Sequence, residues 1–313
     1  MVLDTAGHEL RRWGPGDQVF PSLTTRLSMD GSALADMIEV NKESRSQLAL
    51  PGDYADGTFV LVSERLADRS RRVVQLRLWE DSKGKRSTTT PQDMIGLGPG
   101  DFLVTVGNGS LLRVQAGDKS WSVQGQANGR CVIADVDPGS DQVLVVDGRG
   151  AVTSVELGSG ERRWRWSGAD NVAEVERFLD QTGQHGGARK VVGEALNRMS
   201  RTGHQQAGAS DETAALRVAY GVETARALPD GKVLLASSLG VPYGGRAWLA
   251  VLDPQSGKLL GTEVFDTLAT RTPPGAVVRP TSGGSSWEEG LHVLPSGEVV
   301  LPATQTWIAV KLQ

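Results

Sequence analysis

A chain of 313 residues can bury a substantial core, either as one large repeat domain or as two ordinary ones. Its 39 glycines set among short apolar runs, with aromatics at only 5%, favour a turn-rich β protein over a helical bundle. A formal charge of -4 supports solubility and gives no broad electrostatic case for a nucleic-acid partner.

In chain order, two kinds of hairpin recur. The first kind puts a glycine between apolar strands, with Asp30, Asp230 or Ser296 just ahead of it in three of the four: "LSMDGSALADMIEV", "IGLGPGDFLVTV", "RALPDGKVLLAS" and "HVLPSGEVVLPA". The second kind closes in tryptophan after its turn: "VLDTAGHELRRW" around Gly7, "LLRVQAGDKSWSV" around Gly117 and "VELGSGERRWRW" around Gly160. "LAVLDPQSGKLLGTEV" around Gly257 lacks the closing aromatic, and "VVQLRLWEDSKGKRSTT" around Gly84 carries its tryptophan before the turn. In each, an apolar strand meets a short polar turn whose glycine accepts positive φ, and a second strand returns. Gly84, Gly117 and Gly160 recur at roughly 40-residue intervals, which suits a repeated four-stranded sheet.

Blades are therefore expected at about 17–52, 54–91, 95–124, 128–167, 200–222 and 223–268, with a last one made of 287–313 joined to 1–13. The tail supplies three strands, and the N-terminal "LDTAGHELRRW" offers a fourth that would close a ring and remove two edges. The fold expected is an all-β propeller of seven blades, within a range of six to eight. It forms a single domain over 1–313, with an open solenoid or two β domains as alternatives.

One segment breaks the pattern. Over 170–208, Asn171 and Glu174 have capping-box spacing, and Val172, Val175 and Phe178 or Leu179 share a helical face. After a Gly-Gly break, Ala188, Val191, Val192, Ala195, Leu196 and Met199 predict a second amphipathic helix, followed by a flexible loop. A helical insertion packed over adjacent strands is expected here, with a partner-binding stripe as the sharper alternative.

"VLDPQSGKLLG", "VELGSGERRWRW" and the "LPDGKVLL" hairpins resemble the repeats of pyrroloquinoline-quinone-like and WD-repeat-like β-propellers. The resemblance touches most of the chain outside the helical segment. It implies that Trp13, Trp121 and Trp164 dock between neighbouring blades, with Trp166 in a similar structural role. It also raises quinoprotein dehydrogenation. A single cysteine, and the lack of a set of calcium carboxylates or quinone-stacking residues, set that chemistry aside, so no cofactor is expected.

Other chemistry finds little support. His8, His185, His204 and His292 are widely separated and form no metal motif, and Glu288 and Glu289 read as a surface pair. "DVDPGSDQ", with Asp135, Asp137 and Asp141, departs from the EF-hand order and reads as an acceptor-rich turn. "GLGPGD" lacks the lysine and hydroxyl residue of a phosphate loop, and no nucleophile elbow occurs. Cys131, in "GRCVIADV", reads as a buried structural thiol and excludes an internal disulfide. The N-terminus lacks the apolar core of a signal peptide, and no stretch reads as a membrane span. Because the chain opens inside a strand-turn-strand, truncation of a longer protein is expected. Location stays open between the cytoplasm and the soluble part of an exported or anchored protein.

The most suggestive loops, "GVPYGGRAW" and "TRTPPGAVVRPTSGGSSWEEG", carry Tyr243, Arg246, Arg271, Arg279 and Trp287 as a candidate recognition surface. The leading expectation is a noncatalytic protein-recognition or scaffold domain. Alternatives are a carbohydrate or small-molecule binder, and a hydrolase or lyase whose acids converge in a central pocket.

Overall fold

Apolar runs separated by short polar turns fold back on themselves, because each strand then satisfies its neighbour's backbone and shares one buried face. In the computed structural model of the chain they build antiparallel meanders. The structure describes residues 2–3, 9–11, 26–48, 50, 56–75, 91–107, 109–115, 118–123, 131–181, 221–237, 246–266, 292–294, 296–302 and 307–311. The chain divides into two compact units, Met1–Cys131 and Val132–Gln313, each taken by itself below.

In the first unit, β1 (Val2–Leu3) and β2 (Glu9–Arg11) pair as a two-stranded sheet. A four-stranded meander follows: β3 (Arg26–Leu27), β4 (Ala33–Glu39), β5 (Phe59–Arg65) and β6 (Arg71–Gln75). A second meander comprises β7 (Pro91–Gly98), β8 (Asp101–Val106), β9 (Leu111–Gln115) and β10 (Asp118–Val123). Ala35 and Leu61 of the first sheet share a buried cluster with Met94, Phe102 and Val104 of the second. The sheets are also tied at one end, where the Met29 amide donates to Gly96 O at 2.8 Å and Gly100 N donates to the Ser63 hydroxyl at 3.0 Å.

One expectation is corrected here. Residues 17–52 and 54–91 are not separate blades, since β4 and β5 lie side by side from Ala33 opposite Arg65 to Glu39 opposite Phe59. The connection between them holds a helix, α1 (Lys42–Leu48), that sequence reading misses. Asn41 caps it reciprocally: Ser44 N donates to the Asn41 Oδ1 at 2.9 Å, and Asn41 N donates to the Ser44 hydroxyl at 2.8 Å. Leu48 then closes over Val40, Ile38, Val60 and Val62. An excursion that begins and ends on adjacent strands leaves their register intact, so it mimics a blade boundary in sequence alone.

The second unit contains the meander β11 (Cys131–Asp137), β12 (Gln142–Asp147), β13 (Ala151–Glu156) and β14 (Arg162–Ser167). Helix α2 (Val172–Gln181) follows. A further meander is β15 (Thr224–Ala227), β16 (Val233–Ser237), β17 (Arg246–Leu252) and β18 (Leu259–Asp266). The last sheet has three strands, β19 (His292–Val293), β20 (Glu298–Pro302) and β21 (Trp307–Lys311). Leu144, Val152, Trp164 and Trp166 share one cluster with Leu235, Ala250 and Leu259. Leu234 and Leu249 face the other way, toward Val299.

The β11–β12 turn departs from its glycine-bearing relatives. Asp141 takes the left-handed conformation, φ 52, where the other hairpins of this kind have glycine. Its carboxylate accepts from Gly158 N at 2.8 Å and its carbonyl from Leu157 N at 3.1 Å, which holds the residue in place. Among the described strands, β1 pairs with β2 and β21 with β20, and no N-terminal strand completes the last sheet. Residues 200–220, expected to begin a further blade, lie outside the described residues, as does the second helix over 188–199.

Candidate functional site

The connections of each four-stranded sheet sort by end. In β15–β18, Arg246 is opposite Asp266, and Ser237 is opposite Trp248. Segments 238–245 and 267–291 therefore leave from the same sheet end. In β11–β14, Ala151 is opposite Ser167, so the Asp147–Gly150 turn and the root of α2 also share an end. Val222 N donates to Gly150 O at 2.9 Å, which places the start of β15 against that turn. The opposite ends of both sheets carry only short turns, at Pro138–Asp141, Leu157–Gly160, Pro229–Gly231 and Pro254–Gly257. The first unit repeats the asymmetry in its own β3–β6 sheet, where the α1 connection and the chain beyond Gln75 leave from one end.

Charge organises the loop-bearing end of the second unit. Arg165 on β14 reaches Asp147 at 3.2 Å and Asp170 at 3.7 Å, joining the β12–β13 turn to the approach to α2. The other Asp147 oxygen accepts from Arg149 N at 2.8 Å and Ala151 N at 3.0 Å, which fixes the turn. The Asn171 side-chain amide donates to Ser167 O at 2.8 Å, so it ties α2 to the end of β14. Sequence reading does not single out these framing residues, although "VDGRGAV" carries an ordinary hairpin signal.

Of the candidate recognition residues, only Arg246 falls within a described strand, at the first position of β17. Tyr243, Arg271, Arg279 and Trp287 lie outside the described residues, in the segments that depart beside it. Trp13 also lies outside them. Trp121, Trp164 and Trp166 are buried, at 9%, 7% and 4% exposure. Trp164 crosses from β14 to the β17–β18 turn, where its indole N–H donates to Pro254 O at 2.8 Å and its ring lies on Gly257.

The acceptor-rich segment around Asp135 is used by the fold. Asp135 accepts from Ala227 N at 2.7 Å, Asp137 from Gly139 N at 3.0 Å and from the Ser140 hydroxyl at 2.7 Å, and Asp141 from Gly158 N. Among the described residues, no group of three or more His, Cys, Asp or Glu side chains converges as a metal site would require. Cys131 is buried, with its backbone N–H donating to Gln92 and its carbonyl accepting from Thr105.

The short turns have their own electrostatic character. Hydrogen bonds from Ser70, Ser159 and Ser256 hold Asp68, Glu156 and Asp253 respectively below the ordinary carboxylate range, and the Lys232 side chain does so for Asp230. Asp30 is also lowered. Its partial burial pushes upward, and donors from Ser28 and Ser32 overcome it. A depressed carboxylate stabilises the fold above its unfolded pKa and loses that contribution as pH falls through the folded value. The turns should therefore loosen only below the ordinary Asp and Glu values of 3.8 and 4.5. Ser256→Ala should raise the Asp253 titration midpoint toward its ordinary value in a carboxyl-detected NMR titration. An unchanged midpoint would show that the Ser256 hydroxyl, at 2.7 Å, does not set it.

No protein-family model matches the chain, and no curated protein matches it. Among solved structures it is similar to the Cps50 (Swd1) beta-propeller domain of Myceliophteria thermophila, at 10% identity over 89% of this chain and 61% of that one, TM-score 0.41. It is also similar to the WD40 beta propeller domain of Doa1, at 10% identity over 82% and 60%, TM-score 0.36. For BamB from Moraxella catarrhalis the identity is 13% over 73% and 50%, TM-score 0.33. The chain thus spans half to about three fifths of the length of these three structures. Two of these three low-identity likenesses are to beta-propeller domains.

Proposed function

We propose that the chain is a noncatalytic recognition or scaffold module. Its repeated sheets are read as one propeller domain over 1–313, its ring closed by strands from both termini and its blades within the range of six to eight, fewer than the seven expected from the sequence once β3–β6 is taken as a single sheet. The observation that supports this reading is the segregation of connections. Within each unit, helix-bearing or long segments leave one end of a sheet, while tight turns held by carboxylates fill the other end of β3–β6, β11–β14 and β15–β18. A rigid sheet array that presents variable segments on one side fits shape and polar complementarity to a protein partner. Arg246 stands at that end, and Tyr243, Arg271, Arg279 and Trp287 are proposed to join it and supply aromatic and guanidinium anchors.

The reading is tested by position-specific photo-crosslinking in native cell extract. A crosslinking residue at Arg149, Tyr243 or Arg246 should capture one defined protein, and the same residue at Ser159 or Lys232 should capture none. Equal capture from both ends, or capture from the turn end alone, would refute it. A companion variant should shorten 182–220 and keep α2, because Val175 of α2 is part of the core.

A further inference from the structure

Three hairpins share one turn geometry. At the end of the outgoing strand, Arg65, Glu156 and Asp253 donate their N–H to the carbonyls of Ser70, Glu161 and Lys258. Their own carbonyls accept from the residue four positions on, which is Arg69, Gly160 and Gly257 respectively. That fourth residue takes left-handed φ in all three, at 60, 76 and 68. Glycine enters this region freely and a side chain does so only under strain. Arg69 thus stands where its two counterparts have glycine. Asp141, the other such residue with a side chain among those described, is held by bonds to its own carboxylate and carbonyl. The exposed Arg69 guanidinium has no hydrogen bond or ion pair among the described residues. Strain that no internal contact offsets points outward, to something the side chain meets in solution.

The surroundings leave positive charge on this turn. Residues 64–72 carry four arginines against two carboxylates. Buried Glu64 is taken by Arg71 at 3.0 Å, and Asp68 accepts from Ser70 N at 2.9 Å and the Ser70 hydroxyl at 2.6 Å. Arg65 lies 3.7 Å from Asp68 and remains 44% exposed. On the neighbouring turns, Asp30 is held by the Ser28 and Ser32 hydroxyls, and Asp101 by Arg113 at 2.7 Å. Arg72 is exposed and passes over Gly100, where a Cβ would meet its Cδ at 3.1 Å. Its guanidinium also lacks a partner among the described residues. The hairpin is pinned from below, since Leu66 N donates to Ser32 O at 2.9 Å.

We propose that Arg69 and Arg72, with Arg65 at the base of the same turn, form a docking point for an acidic segment of a partner polypeptide. A guanidinium takes a carboxylate through two parallel N–H donors, and a short run of Asp or Glu supplies several carboxylates. Three arginines fall short of the roughly four to eight basic residues of a lipid-binding cluster. A phosphate backbone selects a broad positive surface, which a chain of formal charge -4 does not offer. This contact lies on the turn side of β3–β6 and is independent of any partner bound at the loop-bearing end.

Arg69→Gly separates strain from binding. It relieves the backbone, so the urea midpoint should hold or rise, and it deletes an anchor, so binding should weaken. The probe is a hexaglutamate peptide at low salt, followed through the arginine Nε–H NMR signals of the full chain. Those of Arg69 and Arg72 should shift to saturation. Affinity read at Arg72 should fall about tenfold in Arg69→Gly, the loss of one charge-assisted hydrogen bond. Arg149→Ala should titrate like the parent protein, and hexalysine should shift neither signal. Unmoved signals, a shift shared by exposed arginines throughout the chain, or unchanged affinity in Arg69→Gly would overturn the proposal. So would a lowered urea midpoint, which would make Arg69 a support of the fold. Tighter binding of phosphatidylserine vesicles or a single-stranded oligonucleotide through the same arginines would also overturn it. The crosslink from Arg149 reports on the loop-bearing end alone, so either reading can fail without the other.

Discussion

Gly150→Ala is expected to destabilise the second unit far more than Gly31→Ala or Gly231→Ala destabilises its own turn. All three glycines have positive φ, so each alanine incurs roughly 1–2 kcal/mol for left-handed backbone. The surroundings separate them. A Cβ on Gly31 or Gly231 meets nothing within 4 Å, whereas on Gly150 it would lie 2.5 Å from Gly221 Cα and 2.8 Å from Val222 N. Those atoms are backbone and cannot rotate away. The same approach carries the Val222 N to Gly150 O hydrogen bond, so moving the chain aside breaks it. Forced displacement adds about 1–3 kcal/mol. Urea unfolding of the three variants checks this, and equal midpoint shifts would contradict so close a backbone approach at Gly150.

Trp164→Ala should cost about 3–5 kcal/mol, the range for deleting a buried large aromatic. Trp164→Phe should keep most of the packing and lose roughly 0.5–1.5 kcal/mol with the hydrogen bond to Pro254 O. The pair with Gly257 makes a sharper experiment. A Cβ on Gly257, where φ is +68, would meet the Trp164 ring at 2.8 Å. Gly257→Ala in the parent protein thus combines a backbone cost with a ring clash, while in a Trp164→Ala background only the backbone cost remains. The double-mutant cycle should show coupling, which additive free energies would disprove.

Much of this architecture is legible from local chemistry. "RALPDGKVLLAS" and "VELGSGERRWRW" specify hairpins through turn residues and apolar runs alone, and these become β15–β16 and β13–β14. The Val172, Val175 and Phe178 stripe of α2 is equally readable, because helical spacing is a short-range signal. The pairing of β4 with β5 is not. It joins residues separated by a capped helix, and sequence distance says nothing of such a closure. The tie from Asp135 to Ala227 is likewise invisible in sequence, since a single acceptor in an Asp-rich turn looks the same whether it binds water, metal or a distant amide.

For the candidate surface, residue types are legible and their placement only partly so. Arg246 can be named from its loop composition, but its position beside Asp266 depends on strand register. The Arg165 bridge between Asp147 and Asp170 escapes sequence reading because its partners come from two turns, one on each side of it in sequence. Salt bridges assembled across a sheet have no periodicity to read.

The α1 excursion bears on how such a chain can lengthen over generations. Since β4 and β5 stay hydrogen-bonded in unbroken register, their connection is free to vary in size while everything beneath it stays put. Each doubling of a flexible loop costs only about 0.6 kcal/mol. The reverse face has no such latitude, because a residue added between Ser28 and Ala33 would shift their hydrogen bond and with it the ladder. Novelty is thereby channelled to one side of the sheet, and grafted sequences have a natural point of entry there.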